Sequence, residues 1–165
     1  MHMIDLESAA REVTRLLDGV SDDQLSAPTP CEGTPVAALL DHLMSLTVAF
    51  TLAARKTSGA GERGDSGPPP PPSAEHLDAD WRGALPARLH ELVEAWRNPA
   101  AWEGTAEAGG TTTPANEMGV VALDELVLHG WDLARATGQS FQVDPATVAP
   151  DFGRQRGHGD LNAVS

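Results

Sequence analysis

Apolar residues along this chain gather into four rhythmic segments, separated by stretches dense in glycine, proline and small polar residues. From about Asp5 to Asp18, Leu6, Ala9, Ala10, Val13, Leu16 and Leu17 recur at i, i+3, i+4. That is the stripe of a helix with one buried face; Val20 continues it and Gly19 is a natural stop. A second helix is expected from Thr34 as N-cap and Pro35 at the first helical position, with a stripe of Val36, Leu39, Leu40, Leu43, Leu46, Thr47 and Phe50, ending near Lys56. A third runs from about Asp78 to Arg97 on Trp81, Leu85, Leu89, Leu92, Val93 and Trp96, with Pro86 inside it as a kink or a restart. The fourth opens at Thr113 and Pro114 and closes at Gly138, a good C-cap glycine.

No strand alternation persists, so the expected class is all-α, a four-helix bundle. Residues 1–140 form the bundle. Within them 57–74 is a flexible connection long enough for a crossover, its Gly/Ser part mobile and its five prolines extended. "NPAAWEGTAEAGGTTTP" reads as a loop, and 141–165, polar and glycine-rich without a stripe, as a poorly structured tail.

Composition narrows the function. Acids outnumber bases 24 to 11 for a net charge of -13, against what binding to nucleic acid or an anionic membrane requires. No run of about 20 apolar residues suggests a bilayer span. The acidic start "MHMIDLESAARE" lacks the basic and apolar parts of a signal peptide, so a cytoplasmic location is expected. The lone cysteine, Cys31, allows no internal disulfide and no cysteine-rich zinc site, and reads as a small apolar turn residue.

The fourth segment carries the chemistry. "LDELVLHGWDLARATG" is apolar nearly all round, yet Glu125, His129 and Asp132 share one of its faces. A buried carboxylate without a partner is several kcal/mol unfavourable. Three readings compete: a Glu125–His129 ion pair one turn apart, a structural polar network, or two ligands of a metal ion. A further ligand would come from another helix. Of the five other histidines, His42 in "LLDHLM" borders the apolar stripe of the second helix and is the best placed. His2 and His158 lie in terminal segments, His76 at a loop edge and His90 on a charged face. Gly130 and Ala134, four apart, would let another helix approach the fourth closely. The apolar surround of that helix and the four tryptophans exceed the evident needs of one bundle, so a homodimer is expected.

Two segments, "TPCEGTPVAALLDHLM" and "LDELVLHGWDLARATGQ", resemble the DinB-like superfamily. Within it they resemble actinobacterial proteins similar to the N-terminal domain of mycothiol-dependent maleylpyruvate isomerase, over roughly Ile4 to Gln139. The resemblance implies a DinB-type four-helix bundle binding a divalent metal, zinc or nickel, through His42, Glu125 and His129. Asp132 has two readings, a carboxylate that orients a ligand or, favoured over it, a helix–helix hydrogen bond. The resemblance also implies mycothiol as a thiol cosubstrate, activated by the metal to attack a small electrophile, in an S-transferase or cis–trans isomerase. The alternative is a non-catalytic bundle that binds metal or a small molecule. One departure is visible: Thr34 stands where the family often has tryptophan after "PCxG".

Overall fold

The computed structural model describes residues 4–57 and 71–143. Four α-helices are present among them: α1 (Glu7–Asp18), α2 (Val36–Ala54), α3 (Trp81–Arg97) and α4 (Ala115–Thr137). A two-stranded antiparallel sheet, β1 (Thr105–Ala108) and β2 (Thr111–Pro114), lies between α3 and α4. Helix α1 packs on α3 and α4, and α2 packs on the same two. Each helix therefore has two helical neighbours, and the predicted stripes meet in one core that includes Leu16, Leu40, Leu43, Leu89, Leu92 and Leu126. Fully burying a side chain of this size stabilises by about 1.5–3 kcal/mol.

Two helix starts differ from expectation for a shared reason. Thr34 does not cap α2. The residue before a proline is pushed out of the helical region, and here Pro35 itself is extended, at φ -69° and ψ 165°. The first free amides of the helix are met by the preceding loop instead: Val36 N–H donates to the Ala27 carbonyl and Ala37 N–H to that of Leu25. Likewise Thr113 and Pro114 end a strand rather than open α4, which begins at Ala115. Helix α3 starts later than expected, at Trp81, and runs through Pro86 without interruption. The predicted left-handed cap of α4 is present, with Gly138 at φ 67°.

The sheet corrects both the all-α expectation and the reading of this segment as loop. Its strands are four residues each, too short to display alternation, and they join through Gly109 and Gly110. Both glycines have positive φ, 58° and 79°, the combination a two-residue hairpin turn needs and other residues resist. The hairpin packs against α2 and α4.

Tryptophans tie this corner together. Trp96 Nε1 donates to the Phe50 carbonyl at 3.1 Å, and Trp102 Nε1 to that of Trp96 at 2.7 Å. Trp102 packs against Gly119 of α4, where a Cβ would sit 2.4 Å from its ring. Lys56, in the left-handed region at φ 58°, donates from Nζ to the carbonyls of Ala101, Glu103 and Thr105. Trp81, Trp96 and Trp102 are all buried, and Trp131 is partly buried.

The close approach expected at Gly130 is made by Val13 of α1 and by Phe141, which is buried although it belongs to the segment read as a tail. The rest of that tail, 144–165, and the middle of the Gly/Pro-rich connection, 58–70, lie outside the described residues. Contrary to the sequence reading, α2 is long and apolar enough to cross a bilayer by length and composition, though 67% of that stretch is buried inside the fold.

Candidate metal centre

The packing of α2 against α4 brings His42 to Glu125 and His129. On α4 the four-residue spacing stacks Glu125 and His129 on one face, and His129 Nε2 lies 2.8 Å from Glu125 Oε2. The ring of His42 meets that of His129 edge-on, with centroids 4.6 Å apart and planes at 81°. One ligand atom from each of the three lies within 4.8 Å of the others. His2 and His158 fall outside the described residues, while His76 and His90 are exposed.

The polar line is less isolated than the sequence suggested. The Glu125 side chain retains 34% of its exposure against 15% for His129 and 10% for Asp132, so the line grades from solvent into the core. Its wet end is a cleft of about 460 Å³ lined by His42, Glu125, Leu46, Phe50, Pro71 and Ala108 among others. Burial pushes the His42 pKa below its ordinary value, and the neighbouring His129 adds to this, against the opposing pull of Glu125 and Asp41. His42 is therefore neutral near pH 7 and has a lone pair to offer.

His129 shows why a cation suits the site. If Nε2 carries the hydrogen and donates to Glu125, Nδ1 is a buried acceptor, and it has no hydrogen-bond partner among the described residues. Asp132 Oδ2 is 3.8 Å from Nδ1, beyond hydrogen-bonding distance. If Nδ1 carries the hydrogen instead, it faces the Asp132 carboxylate, but Nε2 then turns a lone pair toward a carboxylate oxygen at 2.8 Å. A cation held by His129 and Glu125 would remove the conflict, and so would a second proton on the ring, which makes the contact an ion pair. Two imidazole nitrogens and one carboxylate oxygen are a donor set that zinc and its neighbours accept, and three protein ligands leave a position for substrate.

Sequence reasoning missed the walls of the cleft. Pro71 and Pro72 end the long connection, and Ala108 and Gly109 belong to the hairpin; neither segment has a periodic signal. Asp41, next to His42, holds the proline wall through Oδ2, which accepts from Ser73 N–H at 3.1 Å.

The chain is 29% identical over 130 residues to two proteins of Mycobacterium tuberculosis, the uncharacterized proteins Rv0738 (strain H37Rv) and MT0763 (strain CDC 1551). The match covers 79% of this chain but only 64% of each relative, so the chain spans less than two thirds of the length of the curated relatives it matches. No solved structure matches. The sequence pattern of the mycothiol maleylpyruvate isomerase N-terminal domain matches residues 6–134, which include all of α1, α2 and α3 and most of α4 with the three clustered side chains. This chain belongs to that family.

Proposed function

We propose that the protein is a DinB-type helical bundle whose His42, Glu125 and His129 hold a divalent metal, zinc or nickel, and that it uses a low-molecular-weight thiol, mycothiol by family, as cosubstrate in an S-transferase or cis–trans isomerase reaction. The observation that carries the reading is the convergence of two imidazoles and a carboxylate at the inner end of a cleft large enough for a small organic molecule. When bound there, the metal lowers the pKa of a thiol so that thiolate is available at neutral pH.

The chain's own residues supply the rest. Glu125 offers a negative charge that favours the cation, and neutral His42 competes little with it for protons. Leu46, Phe50 and Ala108 exclude water around the acceptor. On an activated alkene, the thiolate sulfur bonds one carbon and the alkene electron pair moves to the next. Loss of the same thiolate after rotation gives the other isomer, whereas protonation of that carbon leaves a thioether.

A second reading has its own support: the 2.8 Å contact between Glu125 and His129 is an ion pair that needs no metal, as in a non-catalytic bundle. Cobalt(II) substitution separates the two. The enzyme reading expects a sulfur-to-cobalt charge-transfer band when thiol is added to cobalt-loaded protein, and its loss in Glu125→Ala. Cobalt bound without that band contradicts the thiol role; no cobalt bound contradicts the metal site.

A further inference from the structure

The cleft beside the triad has a definite chemical character. Its walls come from one face of α2 (Leu46, Ala49 and Phe50), from Pro71 and Pro72, and from the hairpin at Ala108. Ser45 and Gly109 complete it, and its only titratable groups among the described residues are His42 and Glu125. No lysine or arginine of the described residues lines it. Lys56, in the same corner between α2 and the hairpin, is engaged with the carbonyls of Ala101, Glu103 and Thr105. Arg55 and Arg88 line a different depression on α2, with Thr47 and Leu52.

A dicarboxylate entering an apolar cleft must exchange its hydration for cationic or hydrogen-bonding partners; among the described residues this cleft offers no cationic side chain for two negative charges, and it adds the like charge of Glu125. The positive charge of a divalent cation is matched by Glu125 and the thiolate, with none left for the acceptor. An uncharged apolar molecule meets no such cost and gains from burial against Leu46 and Phe50.

Resting on the metal–thiol reading above, we propose that the acceptor of this chain is an uncharged, apolar electrophile, and that the cleft turns away dianionic acids of the kind named by its family. Specificity then lies in the walls, with Ala49 as the position at which a charge would reverse it. A lysine there adds a cation to the mouth of the cleft without touching a proposed ligand.

The test uses two unreactive probes of the same skeleton, dimethyl succinate and succinate, with the full chain carrying zinc and saturation-transfer NMR as readout. The zinc content of each sample is measured alongside. Wild type is expected to bind the diester roughly tenfold more tightly than the diacid, and Ala49→Lys to narrow or invert that ratio. Equal or tighter binding of succinate by wild type, or binding of neither probe, overturns the proposal. A ratio unchanged in Ala49→Lys also overturns it, because the selectivity would then arise elsewhere. Failure of the metal reading appears separately, as protein without zinc.

Discussion

Two corners of this molecule treat buried polar groups in opposite ways. Around Trp96 and Trp102 both buried indole N–H groups reach carbonyls, and at the surface of the same corner the exposed Lys56 ammonium donates to three more. Around His42 and His129 the accounting does not close. His129 Nδ1 is buried without a hydrogen bond among the described residues. A buried polar atom left unmet costs about 1–3 kcal/mol, so the histidine corner gives up stability that the tryptophan corner keeps. The tryptophan corner is built for stability. On the proposed function, the histidine corner holds a cation.

The contrast is sharpened by substitutions that should move stability in one corner and ligand binding in the other. The largest effect on folding is expected from Trp96→Ala, which opens a cavity in the core and strands the Phe50 carbonyl. Urea denaturation should register a loss of about 3–5 kcal/mol, with metal bound per folded chain unchanged. Gly119→Ala should follow at about 1–3 kcal/mol, because its Cβ would collide with the Trp102 ring. The same change at Gly33 meets nothing within 4 Å, so it should cost only about 1 kcal/mol for its positive φ. Lys56→Met, which removes the ammonium from three carbonyls, should lower stability by about 1–2 kcal/mol in the same assay, with most of those carbonyls regaining water. The smallest effect on the metal-free fold is expected from His42→Ala, at about 1 kcal/mol or less, since this side chain lies only half inside at the cleft. Its signature is elsewhere. Wild type should gain about 2.7 kcal/mol when free zinc stands at a hundred times its dissociation constant, and His42→Ala should gain nothing at that concentration.

How much of this was legible in the sequence varied with the kind of signal. The four helices were, because the stripes of α1 to α3 repeat often enough to fix a period, and Gly138 marked the end of α4. The starts of α2 and α4 were not. At Thr34-Pro35 and Thr113-Pro114 a proline reads equally as a first helical residue or as the last extended one, and only the neighbouring backbone decides. The hairpin was hidden because strands of four residues carry no pattern, although the Gly109-Gly110 pair was a turn signal passed over within a longer polar stretch. For the site, the Glu125–His129 spacing was readable on α4 alone. His42 needed the packing of α2 against α4, which no local pattern encodes, and it entered the sequence reading as a preference supported by resemblance. The cleft walls needed Asp41 to hold Ser73 in place, a contact across 32 residues of sequence.

The most direct test of the central claim is elemental analysis of untagged protein purified without added metal or chelator, beside Glu125→Ala and His129→Ala prepared identically. The account predicts about one zinc or nickel per folded wild-type chain, and loss of that metal in both variants while the helical fold persists. Wild-type protein that carries no metal and gains no thermal stability from added zinc or nickel would contradict it, and would leave the pairing of Glu125 with His129 as a link within the bundle.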